Sequence, residues 1–146
     1  MEMNREERME LILDHYENPR NYGALDNAYV VKEWGNPGCG DIVTIYLNVD
    51  DEGRIKNATF LGEGCTVSQA GASITTEIII GKTLDEVEAM GPNVILDIVG
   101  QELGMARPKC TTLGLTTAKL AVKELRRQKM LADIKKEEEK NWTTIY

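Results

Sequence analysis

Ile42-Val43-Thr44-Ile45-Tyr46-Leu47-Asn48-Val49 is the stretch that decides the fold. Its apolar residues recur at every second position, so Val43, Ile45, Leu47 and Val49 share one face of a strand, with Thr44, Tyr46 and Asn48 on the other. Asp50-Asp51-Glu52-Gly53 reads as a turn. Arg54 to Leu61 then returns as a second strand, with Ile55 and Phe60 as its apolar contributions. The pair forms an antiparallel hairpin whose outer ends carry Cys39 and Cys65. Because paired strands bring their ends together, the hairpin alone is expected to set these two sulfurs close to each other.

Immediately before the hairpin lies Gly35-Asn36-Pro37-Gly38-Cys39-Gly40-Asp41. Proline has a fixed φ and no N–H, and glycine tolerates backbone angles other residues avoid. Such a segment is poor core material; it delivers a thiol and a carboxylate two residues apart and holds the sulfur at the surface. Further upstream, Asn4 and Glu7 make a capping box for a helix whose apolar face is Met9, Ile12, Leu13 and Tyr16. Pro19 ends that helix. Glu17 to Asn27 is a polar loop, and Ala28 to Lys32 is expected to form a short strand.

Downstream, Thr66 to Ile80 is rich in small residues and reads as a buried helix packed closely on the sheet, stopped by Gly81. Thr83 and Glu86 form a second capping box over a short helix to about Met90. After Gly91-Pro92-Asn93, Val94 to Leu103 is expected to be one helix. Pro108 leads through Cys110 and Thr111 into a long helix to about Lys136. Its buried stripe is Leu113, Leu120, Ala121 and Leu125, and its solvated charge Lys123, Arg126, Arg127 and Lys129. The charge-dense Lys135 to Lys140 is expected to fray, with Trp142 and Tyr146 docking back onto the body. There is no internal repeat, no low-complexity linker and no second domain, so residues 1–146 are expected to form a single domain.

A formal net charge of −7 argues against nucleic acid or an anionic membrane surface as the main partner. No apolar run approaches the roughly 20 residues needed to span a bilayer. The acidic N-terminus lacks the apolar core of a signal peptide, so a cytoplasmic location is expected, where thiols stay reduced. Three cysteines, an odd number, fit a disulfide framework badly. All three stand beside Gly or Pro at element edges, with 25 residues between Cys39 and Cys65 and 44 between Cys65 and Cys110.

Taken singly, each cysteine reads as a small buried hydrophobe, and Asp41 as a turn or capping residue. Together they read as ligands. Cys110, next to Lys109 at the start of the long helix, is expected to favour its thiolate. If that helix packs near the hairpin's ends, three sulfurs converge and Asp41 adds an oxygen. Three thiolates and one carboxylate suit zinc or an iron–sulfur cluster. A carboxylate in place of a fourth sulfur leaves the set labile, which suits a carrier. His15, the only histidine, reads as surface or structural rather than metal-binding, and Lys109 as a solvated charge.

Asp14-His15-Tyr16-Glu17-Asn18-Pro19-Arg20-Asn21, Asn36-Pro37-Gly38-Cys39-Gly40-Asp41, Gly64-Cys65, Gly81-Lys82-Thr83 and Lys109-Cys110 resemble the IscU/NifU N-terminal family of iron–sulfur cluster assembly scaffolds. The resemblance runs from about Glu7 to Leu131. It implies a compact α+β fold, a three-stranded antiparallel sheet with helices packed on it and a long C-terminal helix. The role it implies is to take sulfur from a cysteine desulfurase of the IscS/NifS type, combine it with iron, and pass the cluster to recipient apoproteins. Cys39, Asp41, Cys65 and Cys110 would hold the cluster, 2Fe–2S in the first instance with 4Fe–4S left open, with Asp41 tuning lability and Cys110 accepting the persulfide. Zinc in the cluster-free form and a homodimer are left open. Such a protein is a carrier rather than an enzyme.

Two positions depart from the family's pattern. Lys109 stands where many members carry His, and Gly104-Met105-Ala106-Arg107-Pro108-Lys109 replaces the Leu-Pro-Pro-Val-Lys stretch read by a DnaK-type chaperone. Lysine at that position is similar to the SufU branch, whose zinc-bound members accept sulfur. That branch carries an insertion between the second and third cysteines for which the 44-residue gap is short.

Overall fold

A computed structural model describes residues 3–36 and 40–145. Cys39 lies outside the described residues, as do Pro37, Gly38 and Tyr146, and the side chain of Trp142 is likewise outside them.

The hairpin forms as its alternation predicts. Strand β2 spans Asp41–Val49 and β3 spans Ile55–Glu63, antiparallel, with Val43, Ile45, Leu47 and Phe60 fully buried on one face. The first strand is longer than expected and begins later. β1 spans Val30–Asn36 and pairs antiparallel with β2, from Val30 opposite Leu47 to Asn36 opposite Asp41. Gly35 and Asn36, read as loop, are thus in the ladder. Lys32, Glu33 and Trp34 carry little strand signal, but an edge strand pairs through its backbone and tolerates charge on its side chains. The sheet order is β1-β2-β3.

Helices cover the buried face. α2 (Thr66–Ile79) lies against β3, and α7 (Leu113–Ile145) against β1 and β2. They cross where Gly114 replaces a side chain with bare backbone: a Cβ there would sit 2.6 Å from Ala72 Cα. Leu115, Ala118 and Val122 join Leu113, Ala121 and Leu125 in the buried stripe of α7, while Leu120 is only half-buried. Arg126 reaches Asp85 and Glu88 on α3 (Leu84–Ala89), whose Thr83/Glu86 capping box is present.

Three helical expectations are corrected. Val94 to Leu103 is two helices, α4 (Asn93–Val99) and α5 (Gln101–Ala106), because Gly100 at φ +100 breaks the run beneath the Arg8 side chain. The long helix does not contain Cys110. That residue lies in a separate turn, α6 (Pro108–Thr111), and Thr112 at φ −99, ψ 5 interrupts the chain before α7. Thr111 and Thr112 each return a hydroxyl to the carbonyl four residues earlier, a pattern that bends helices. At the other end α7 continues to Ile145, so Lys135 to Lys140 is helical rather than frayed.

The first helix, α1 (Arg5–Glu17), starts at the predicted capping box. Its buried side differs from expectation: Ile12 and His15 are buried, while Met9, Leu13 and Tyr16 are exposed. α1 packs on α2 through a polar contact in which Ser73 Oγ accepts Arg20 N–H at 2.9 Å and lies 2.7 Å from His15 Nδ1. In the tautomer that turns Nε2–H toward Glu77 Oε1, 3.4 Å away, Nδ1 accepts the Ser73 hydroxyl. The imidazole is a satisfied structural group.

Burial holds the His15 pKa below its ordinary 6.5, Arg20 adds to this, and Glu77 and Asp14 oppose it. The unfolded chain thus binds a proton where the folded chain does not. His15's contribution to stability is full above 6.5 and is lost as pH falls below it toward the folded value. Urea midpoints measured at pH about 8 and about 5.5 are expected to fall more for the native chain than for His15→Gln. Equal falls would remove His15 as the cause.

Candidate metal centre

Asp41 opens β2 and Cys65 stands just past the end of β3, so the ladder between these strands brings them together. Asp41 Oδ1 accepts the Cys65 backbone N–H at 3.1 Å, and Oδ2 lies 3.7 Å from Cys65 Sγ. Cys65 is also the N-cap residue of α2, with no side-chain cap bond of its own. The carboxylate of Asp41 thus caps α2 from a neighbouring strand, with its charge at the positive end of the helix. Ser68 Oγ donates to the Cys65 carbonyl at 3.0 Å and tightens the same turn.

Gly64 makes this contact sterically feasible. Its φ is +151, and a Cβ there would overlap Asp41 Oδ1 and approach Ser68 Oγ at 2.8 Å. The sequence offered Gly64 only as a turn glycine. Its second role, leaving room for the carboxylate, depends on a residue 23 positions earlier, the interval from Asp41 to Gly64.

Cys110 arrives from the other side. The crossing of α6 over α2 is close because a Cβ on Gly71 would lie 2.5 Å from the Thr111 carbonyl oxygen. One ligand atom each from Asp41, Cys65 and Cys110 then falls within 4.8 Å of the others. Cys65 is half-exposed, whereas Asp41 is 3% and Cys110 1% exposed. The expectation of thiols standing in the open therefore holds for Cys65 and not for Cys110. Lys109 is exposed, as expected of a solvated charge. Two sulfurs and a carboxylate oxygen at this spacing form a donor set for a tetrahedral, thiophilic metal ion such as zinc or iron. Such a set holds metal through anionic ligands, which burial makes harder to leave unpaired.

Gln69 lies over the end of β3, outside this donor set, a placement that sequence reading missed. Its amide lies over Gly62, with Oε1 and Nε2 2.8 and 2.9 Å from where a Cβ would stand, and Nε2 is buried without a hydrogen-bond partner. A mid-helix glutamine carries no signal for this beyond its position four residues after Cys65.

Fold and centre together define a class: a three-stranded meander backed by helices, gathering thiols and a carboxylate at the N-terminus of its central helix. Residues 7–132 match the family model of the NifU-like N terminal domain, and the chain belongs to this IscU/NifU N-terminal family. It is 37% identical over 119 residues to the iron-sulfur cluster assembly scaffold protein IscU of Escherichia coli K12, covering 77% of this chain and 89% of that one. To the IscU scaffold protein of Streptococcus pyogenes it is 32% identical over 150 residues, covering 91% and 93%. Among solved structures, a candidate iron-sulfur cluster assembly scaffold protein for the SUF system from Fervidobacterium islandicum superposes with a TM-score of 0.65 at 31% identity, over 77% of this chain and 94% of that one. The N-terminal NifU-like protein of Brucella abortus gives a TM-score of 0.71 at 19% identity, over 85% and 99%, a likeness of fold alone.

Proposed function

We propose that the protein is a scaffold on which an iron–sulfur cluster is assembled from iron and donated sulfur and then handed to recipient apoproteins. The observation that carries this is the approach of Asp41, Cys65 and Cys110 to within 4.8 Å, in a family whose named relatives are cluster scaffolds. The cluster is cargo, preferably 2Fe–2S. Cys65 and Cys110 hold it as thiolates, Asp41 through a carboxylate oxygen, and Cys39 is the proposed fourth ligand.

Sulfur comes from a cysteine desulfurase as a persulfide. A scaffold thiolate attacks the terminal sulfur, the donor's S–S bond breaks, and the donor leaves as a thiolate; the sulfane sulfur changes hands with no net oxidation. Cys110 is the proposed acceptor, and its burial means that a donor reaches it through the opening at Cys65. Among the described residues no helix is long and apolar enough to cross a membrane, in keeping with a cytoplasmic carrier.

Anaerobic reconstitution with iron, desulfurase and L-cysteine is expected to give a visible-region chromophore, lost in Cys39→Ala, Cys65→Ala and Cys110→Ala. A colourless native product rejects the scaffold. Asp41 Oδ1 is already engaged by the Cys65 N–H, which weakens this carboxylate as a ligand. Asp41→Ala is therefore expected to release its cluster to a chelator several-fold more slowly than the native chain, on the order of a 1 kcal/mol difference in barrier. Equal or faster release contradicts the lability role.

A second reading, a zinc-dependent sulfur acceptor of the SufU type, is favoured by Lys109 and by the SUF-system neighbour. It predicts stoichiometric zinc in the protein as purified and stimulation of desulfurase turnover by the zinc form without a chromophore.

A further inference from the structure

The outer edge of β3 is covered at Ile55, by Gly81 and Lys82, and again at Phe60. Phe60 donates its N–H to the Asn21 carbonyl at 3.0 Å and accepts Gly23 N–H at 2.9 Å, so both its backbone groups point away from β2. Antiparallel pairs alternate between bonded and non-bonded. Gly62, opposite Val43 and two residues on, therefore also turns its N–H and C=O outward. The chain leaves this edge after Gly23, which sits at φ +133, and no backbone bond to Gly62 from beyond the sheet is made among the described residues.

Beside this bare edge is a cleft of about 420 Å³ lined by Tyr16, Pro19, Tyr22, Gly62, Gly64 and Gln69. Gly62 offers no side chain to obstruct a second backbone. The unpartnered Gln69 Nε2 lies directly above it, and Tyr16 and Tyr22, both about half exposed, form apolar walls. The cleft runs along β3 to Gly64, the residue before Cys65. Unpaired strand-edge groups plus an idle amide donor make a hydrogen-bonding surface that an extended peptide satisfies and a compact small molecule does not.

We infer that this cleft is a strand-addition slot: a short extended, cysteine-bearing segment of the sulfur-donating protein pairs with the β3 edge at Gly62 and hydrogen-bonds Gln69, which sets its persulfide beside Cys65. This rests on the scaffold reading, since only a sulfur acceptor needs such a donor. At about 3.3 Å per residue the edge from Phe60 to Gly64 takes roughly three residues. The affinity it supplies is small, so its role is to fix the donor's direction of approach.

The test uses the full chain with two sulfur sources: a cysteine desulfurase of the NifS type with L-cysteine, and free cysteine persulfide. Mass spectrometry reads the gain of one sulfur on Cys65 or Cys110. Gly62→Pro removes the outward N–H at a position where an edge strand accepts proline, and Gln69→Ala removes the amide. Both variants are expected to take sulfur from free persulfide at the native rate and from the desulfurase about tenfold more slowly, the loss of about one hydrogen bond's worth of positioning. The Gly62 amide of the native chain is expected to be protected from exchange when the desulfurase binds.

Native-rate transfer from the desulfurase to Gln69→Ala, or an unprotected Gly62 amide in the complex, overturns the slot while leaving the scaffold reading intact. Should Gly62→Pro fail to fold, Gln69→Ala and the exchange measurement decide alone. A native chain that takes sulfur from free persulfide but none from the desulfurase overturns the scaffold reading, and the slot with it.

Discussion

Gly71→Val is expected to empty the metal centre without touching any ligand. The position faces backbone: a Cβ would meet the Thr111 carbonyl oxygen at 2.5 Å, and a carbonyl in a helical turn cannot swing aside as a side-chain tip does. The added methyl groups must push α6 away from α2, and Cys110 moves with Thr111, its neighbour. Overpacking of this kind costs about 1–3 kcal/mol. The larger effect is on geometry, because a displacement of an ångström at Cys110 takes it out of reach of a metal held by Cys65. The urea midpoint is expected to fall with an unchanged slope, and reconstitution to give little or no chromophore. Gly91→Ala is the control, since a Cβ there meets nothing within 4 Å and is expected to leave both readings unchanged. A Gly71→Val protein that reconstitutes fully would show that Cys110 is positioned by something other than the α2 crossing.

Gly64→Ala is expected to be nearly as severe, for a different reason. Holding a residue with a Cβ at φ +151 costs about 1–3 kcal/mol by itself. The same Cβ overlaps Asp41 Oδ1, and Asp41 is 3% exposed, so the carboxylate has nowhere open to go. Relief requires pushing Asp41 and the first turn of α2 apart, which carries Cys65 away from Cys110, a displacement that Asp41→Ala, adding no bulk, does not force. Gly53→Ala separates backbone strain from overlap: its φ is +79, but nothing lies within 4 Å of the added Cβ. Gly53→Ala is expected to lower stability alone, whereas Gly64→Ala lowers stability and abolishes metal and cluster binding. Equal cluster yields from the two variants would mean that the added Cβ is accommodated without displacing Cys65.

Both predictions concern glycines whose importance is invisible in the local sequence. The neighbours that make them necessary, Thr111 and Asp41, are far away in the chain. The same holds for Gln69, an ordinary helix residue until Gly62 is placed beneath it. The misplaced helix boundaries have a related cause. Gly100 and Thr112 end helices through a positive φ and through paired threonine back-bonds, features that compete with propensity and are decided by what packs above them. The buried face of α1 went astray because His15, a polar residue, is buried by a hydrogen bond to Ser73 that no apolar periodicity encodes.

By itself the sequence determined the hairpin and the face that β2 buries, because alternation along Val43 to Val49 leaves only one face for the core. It also determined the capping boxes and the chemistry of the donors, since Asp41, Cys65 and Cys110 are the kinds of group that hold a thiophilic metal. Only the tertiary structure decided that these donors meet, that Cys110 is sealed while Cys65 is reachable, and that the β3 edge stands open beside them. Donor type is a property of a side chain and travels with the sequence. Convergence and access depend on how closely two helices cross, and that distance is set by atoms from distant residues excluding one another from the same space.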